Sequence, residues 1–146
     1  MADSRFVYVT YIRVSPEKLW EALTTTEFMK TYFFGITFDT EWKEGKSWQM
    51  IYPDGTITDS GEIIEFSPPS RLELSWRNEF RSELKAEGYG RCVMEIEAAG
   101  DASKLTVTHS IGVANAKLIG AVSEGWPQIL SNLKSLLETG EAFLAK

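Results

Sequence analysis

The sequence has little of the chemistry that cysteine and histidine supply. It contains one cysteine, Cys92, and one histidine, His109. A lone cysteine cannot form an internal disulfide, which fits a reducing compartment, so we expect a cytoplasmic protein. One histidine and one cysteine in no recognised spacing make no zinc site, and the glycines stand singly at turns rather than in a phosphate-binding loop. We therefore expect no metal and no cofactor.

Long apolar runs and an excess of basic charge are missing too. No apolar stretch approaches the roughly 18 residues of a membrane-spanning helix, and the first residues lack the basic and apolar regions of a secretory signal. The formal net charge is −6. Because nucleic-acid binding normally needs a basic face, we expect neither a membrane span nor a nucleic-acid partner.

What is present fits one globular domain over residues 1–146, with 43% apolar and 25% charged residues. Residues 6–14 are β-branched and aromatic and predict a strand. Ser15, Pro16 and Glu17 are typical of a helix start, and a second short helix is predicted from about residue 27 to 33. About six strands at hairpin spacing follow, with Gly61 as a candidate bulge and residues 77–88 as a polar hairpin loop or mobile connection.

The last part of the chain predicts a long amphipathic helix between residues 113 and 139. Lys134 and Asn132 fall between the apolar positions and are expected on its polar face, and Gly140 is expected to end it. The apolar stripe recurs in steps of three and four: Ile119, Val122, Trp126, Ile129, Leu130, Leu133, Leu136 and Leu137.

Gly125 and Pro127 interrupt this helix pattern on either side of Trp126. Two interpretations fit: a main helix that starts near Ser123 with Pro127 in its first turn, or a longer helix that is kinked there. Both leave residues 115–122 as a separately oriented segment, and we favour the broken version. A helix after a run of strands needs a sheet to pack on, so we expect an α+β fold in which a curved antiparallel sheet wraps around the C-terminal helix.

Several sequence pieces occur in a distinctive order. They are IRVSPEKLWEALT at 12–24, Asp54-Gly55 followed by Gly61-Glu62-Ile63, Pro68-Pro69 with Arg71-Leu72 and Trp76, and Gly125-Trp126-Pro127 with Leu130, Leu133-Lys134 and Leu137-Glu138. With them the chain resembles the START-like helix-grip superfamily. The most similar branch is the one named for the C-terminal domain of the activator of the heat-shock chaperone ATPase.

This resemblance implies a fold more than a function. The fold is a curved antiparallel sheet that grips the C-terminal helix around an elongated apolar cavity, with two short helices after the first strand. Members of the superfamily include lipid and hormone carriers, polyketide cyclases and a chaperone activator. The chaperone activator has a further N-terminal domain, whereas this sequence begins directly with the first helix-grip strand, so we do not carry chaperone activation over to it.

His109 is the candidate for chemistry, because strand alternation puts it on the same face as Val107 and Ile111. It is either a proton-transfer group or ligand partner, or a core histidine that a neighbouring hydroxyl or carbonyl satisfies. We predict a ligand-binding cavity lined by Met94, His109, Ile111, Leu118, Val122 and Trp126.

Tryptophans and charged strand residues are further candidates for the same cavity. Trp20 and Trp76 are assigned to the core, whereas Trp126 is equally consistent with core and with a pocket mouth. Asp59, Glu62 and Arg91 are expected to point outward from their strands, although an inward one could anchor a polar ligand group.

We conclude that the sequence favours binding of a small apolar or amphipathic molecule between sheet and helix. Two alternatives remain. One is a protein-interaction module of the chaperone co-factor type, with a protein partner or a homodimer. The other is a cyclase- or hydrolase-type enzyme that uses His109.

Overall fold

A computed structural model of the chain describes residues 3–144 and has an α+β architecture. In chain order the elements are β1 (Ser4–Ile12), α1 (Pro16–Leu23), α2 (Thr26–Tyr32), β2 (Thr37–Thr40), β3 (Ser47–Ile51), β4 (Ile57–Ser67), β5 (Arg71–Asn78), α3 (Ser82–Lys85), β6 (Gly90–Ala99), β7 (Ala102–Ile111) and α4 (Lys117–Thr139).

The strands form one antiparallel sheet in the order β1-β7-β6-β5-β4-β3-β2. Side chains alternate between its faces, and the inward set of β7 includes Leu105, Val107 and His109. Helix α4 buries Trp126, Leu130 and Leu133 in the same core. The predicted fold class, with a curved sheet, a long C-terminal helix and two short helices after the first strand, is confirmed.

The start of α1 follows from its sequence. The Ser15 hydroxyl accepts a hydrogen bond from the Lys18 backbone N–H at 3.2 Å, and Pro16 occupies the first helical position, where no N–H is needed. The helix then buries Leu19 and Leu23.

Helix α4 is continuous, so the predicted break is wrong. It runs from Lys117 to Thr139 with Pro127 inside it, and residues 117–122 belong to the same helix. A proline inside a helix costs about 3 kcal/mol. Burial of Trp126 and Leu130 on either side of it offsets that cost. Gly140 ends the helix in the left-handed conformation at φ 91°, as its sequence predicts.

Asn132 is also placed differently from its prediction, because it is fully buried rather than on a polar face. The C-terminal segment folds back over it. Its Nδ2 donates to the Leu144 carbonyl at 3.0 Å, and its Oδ1 accepts from the Leu144 N–H at 2.7 Å. Helical spacing could not show this, because the covering residues lie outside the helix.

Gly61 marks a close approach rather than a bulge. It pairs in register with Trp48, and a Cβ built there would lie 1.9 Å from the Ser75 carbonyl oxygen, so only glycine fits. The polar segment after β5 is ordered into the short helix α3, whose Leu84 is buried. Within residues 3–144, none of the helices is long and apolar enough to cross a membrane.

Candidate functional site: a cavity between helix α4 and the sheet

A cavity of about 150 Å³ lies between the first half of α4 and strands β3 to β5. Helix α4 forms one wall and the sheet, with one residue that follows α2, forms the other. The helical wall comprises Leu118, Ala121, Val122, Gly125, Trp126 and Ile129, and the opposite wall comprises Phe33, Met50, Asp59, Trp76 and Asn78.

The helical wall follows from spacing, since its residues recur in steps of three and four and so share one face. Gly125 contributes directly to the open volume, because a Cβ built there meets nothing within 4 Å. The start of the helix is fixed by Glu87, from the connection before β6. Its two carboxylate oxygens accept the N–H groups of Lys117 and Leu118 at 2.7 and 3.0 Å.

Trp126 joins the cavity to the only histidine. Its indole Nε1 donates to His109 Nδ1 at 3.2 Å, so Nδ1 carries no proton and the neutral ring is protonated at Nε2. Burial lowers the pKa of His109 to about 4. Within the described part of the chain, His109 Nε2 has no hydrogen-bond partner, and the imidazole packs edge-on against the Trp76 ring at 5.1 Å between centroids.

Asp59 is the one charged side chain among the described residues of the lining. Its Oδ2 accepts hydrogen bonds from Trp76 Nε1 at 2.8 Å and from Asn78 Nδ2 at 3.4 Å. Burial raises the pKa of the Asp59 carboxyl, and the hydrogen bonds from Thr58, Trp76 and Asn78 oppose that rise. In this apolar cavity the carboxyl group can accept a hydrogen bond from a ligand or pair with a positively charged group of the ligand.

The six residues that the sequence proposed do not all reach this cavity. Leu118, Val122 and Trp126 line it. His109 is fully buried and contacts the lining through Trp126 and Trp76. Ile111 packs in a second apolar cluster that shares Leu118, and Met94 lies in the main core. Ligand binding by these residues stays a prediction.

Two residues of the lining differ from what the sequence predicts. Trp76, expected in the core, is buried but also lines the cavity. The expectation that Asp59 points outward is wrong. Asp59 lies opposite the buried Met50. It is four residues from the buried Ile63, and this even spacing puts both side chains on the inner face of β4. The even spacing from Ile63 was the available signal, but the adjacent Thr58 is buried too, so β4 does not alternate regularly there. Glu62 and Arg91 are exposed, as expected.

A larger depression of about 510 Å³ lies at the other end of α4. Its charged side chains pair with one another, because Arg13 contacts Asp101 at 3.8 Å and Lys134 contacts Glu138 at 2.8 Å. These mutually paired charges leave the smaller, apolar cavity as the candidate ligand site. Across residues 3–144 no group of three or more His, Cys, Asp or Glu side chains is placed to hold a metal ion.

Comparison with known proteins places this geometry in a family. Residues 13–138 match the model of the family described as Activator of Hsp90 ATPase homolog 1-like protein. The chain belongs to this family. The resemblance to the helix-grip branch named for the chaperone activator is therefore confirmed. No curated protein matched the sequence.

Solved structures similar to this Activator of Hsp90 ATPase homolog 1-like chain agree on the fold. A protein from Mesorhizobium loti is 20% identical, with a TM-score of 0.80 over 92% of this chain and 97% of that one. The Aha1 dimer from Colwellia psychrerythraea is 19% identical, with a TM-score of 0.74 over 94% and 98%. An HSP90 activator from Plasmodium falciparum is 20% identical, with a TM-score of 0.74 over 91% and 95%. At these identities the likeness shows a shared fold.

Proposed function

We propose that the protein binds a small apolar or amphipathic molecule in the cavity between α4 and the sheet. The observation that carries this proposal is a mostly apolar lining with a single carboxyl group, which is the usual composition of a small-molecule site. An apolar cavity of about 150 Å³ is large enough for a ring the size of benzene. The ligand, or the part of it that enters the cavity, is therefore about one ring in size.

Two glycines of α4 provide a matched test. Gly125 lines the cavity and Gly120 is exposed, and a Cβ at either position meets nothing within 4 Å. Gly125→Leu should fill the cavity and weaken binding of toluene or benzyl alcohol at least about tenfold, whereas Gly120→Leu should leave it unchanged. Both variants should keep the fold, because leucine favours a helix more than glycine does.

Binding is measured from the indole N–H signals in ¹H–¹⁵N spectra, with the Trp126 signal assigned through Trp126→Phe. No binding by the wild-type chain, or an equal loss in the two glycine variants, would contradict the proposal.

The protein-interaction alternative has an observation of its own. Val7, Val9 and Tyr11 stand in a row on the outer face of the edge strand β1, with exposed fractions of 50%, 45% and 53%. We call these three residues the β1 stripe. Exposed apolar side chains in a row are typical of a protein contact surface. The family description and the similar HSP90 activator and Aha1 dimer make a chaperone or a second copy the partners to test.

The test adds the protein to a purified Hsp90 chaperone and measures ATP hydrolysis, with light scattering after gel filtration for self-association. Val9→Lys should abolish either effect. Ile64→Lys, on β4 at a residue that is 43% exposed, is the matched control. No stimulation and a monomeric mass for the wild-type chain would remove this candidate.

The enzymatic alternative has less support, because His109 is poorly suited to proton transfer in this cavity. It is not part of the lining, and a pKa of about 4 leaves it a weak base at neutral pH. General bases work best with a pKa near the operating pH.

A further inference from the structure

Each side-chain nitrogen on the cavity lining already donates one hydrogen bond to a protein acceptor. Trp126 Nε1 donates to His109 Nδ1, and both Trp76 Nε1 and Asn78 Nδ2 donate to Asp59 Oδ2. The two indole nitrogens have no further hydrogen to donate, whereas Asn78 Nδ2 keeps a second N–H. What the lining presents to a ligand is therefore the Asp59 carboxyl group, a set of aromatic rings and this one amide N–H.

The charge of the lining has one sign. Asp59 is its only ionisable side chain among the described residues, and no Lys, Arg or His belongs to it. The nearby Arg77 is paired with Glu79 rather than with Asp59, and the Glu79 charge adds to the negative potential at Asp59. A carboxylate head group, as in a fatty acid, would be repelled by this potential, and no cationic side chain of the lining would offset the repulsion.

An ammonium group would meet the opposite situation. It would supply the positive charge that the partly buried carboxyl lacks, and its N–H groups would donate to the oxygen atoms of Asp59. Trp76, Trp126 and Phe33 add aromatic rings, which attract cations through their π faces. The volume of about 150 Å³ leaves room for one ring beside this group.

We propose that the ligand is a small arylalkyl amine, whose ammonium group binds Asp59 and whose ring fills the cavity beside Trp126. This inference rests on the proposed function, because it specifies the ligand of the same cavity. It narrows the ligand from any small apolar or amphipathic molecule to one with a positively charged group, and it excludes fatty acids.

Four probes of nearly equal shape test it: benzylamine, benzyl alcohol, toluene and benzoate, titrated by calorimetry at pH 7. Benzylamine should bind at least about tenfold more tightly than benzyl alcohol or toluene, and benzoate should not bind measurably. If none of the four binds, the proposed function fails together with this inference. If toluene and benzyl alcohol bind as tightly as benzylamine, the proposed function stands and this inference is overturned.

A pair of variants separates the site from the overall negative charge. Asp59→Asn should reduce the affinity for benzylamine to that for benzyl alcohol, while toluene binding stays unchanged. Asp101→Asn removes an equal charge from an exposed carboxylate at the far end of α4 and should have no effect. Equal losses in the two variants would show a general charge effect and overturn the assignment to Asp59. Because the four-probe comparison uses the wild-type chain, the inference remains testable if Asp59→Asn does not fold.

Discussion

The two halves of α4 meet the same sheet in different ways. Beyond Trp126, the helix buries Leu130 and Leu133 in the core, and it even buries the polar Asn132 under the C-terminal segment. Before Trp126, it presents the small residues Ala121 and Gly125, and the space they leave is the cavity. The comparison teaches that one continuous helix can bury large side chains in the core along one half and border a cavity along the other, where two of its residues are small.

The largest expected effect tests the packed half. Leu133 is fully buried, so Leu133→Ala should lower the free energy of unfolding by about 2–5 kcal/mol through lost burial and the void that remains. Val122→Ala, on the half-buried cavity wall, should cost about 1 kcal/mol or less. Urea titration measures both. Similar losses at the two positions would show that the two halves are packed alike.

The next effect is a pH dependence of stability that arises where the two halves of α4 meet, at the hydrogen bond from Trp126 to His109. In the unfolded chain His109 has its ordinary pKa of 6.5, whereas in the native state burial holds it at about 4. Between these values the unfolded chain binds more protons, so stability falls as the pH decreases. From pH 7.5 to pH 5 the loss should be about 2 kcal/mol.

Other groups near His109 do not produce this slope. Burial raises the pKa of the Cys92 thiol, which faces His109 from β6, so it stays neutral. The raised pKa of Asp59 acts with the opposite sign, because its native state binds more protons. Urea unfolding of His109→Gln at the two pH values should show a smaller difference than the wild-type chain does. An identical pH dependence would contradict the assignment.

The smallest effect tests the cavity half again. Gly125→Ala and Gly120→Ala should each raise the free energy of unfolding by up to about 1 kcal/mol, because alanine favours a helix and neither Cβ meets another atom within 4 Å. Thermal unfolding of the two variants is the measurement. A loss of stability confined to Gly125→Ala would mean that the cavity wall closes on position 125 in solution.

Most elements of the fold could be predicted from local sequence patterns. The Ser15-Pro16 helix start, the strand alternation of Val107 and His109, and Gly140 at the helix end each depend on neighbouring residues, so they could be predicted from the sequence. The continuity of α4 could not, because the cost of Pro127 is local while the packing that offsets it comes from the sheet.

The candidate site was predicted less completely, for a related reason. The helical residues Leu118, Val122 and Trp126 follow from periodicity. The inward position of Asp59 depends on its register with Met50, across a pairing that shifts by one residue. The separation of Ile111 from the cavity depends on Leu84, which comes from a distant connection and packs against it. The spacing of residues within either segment cannot predict such non-local pairings.

The two hydrogen bonds between the Asn132 side chain and the Leu144 backbone bear on where the folding unit ends. The family match stops at residue 138, but the partner that Asn132 needs is supplied by residue 144. A fragment cut at residue 138 would keep every residue of the match, but it would lose both hydrogen bonds to Leu144 and the segment that covers this amide. The physical boundary of this domain therefore lies beyond the boundary that sequence similarity draws.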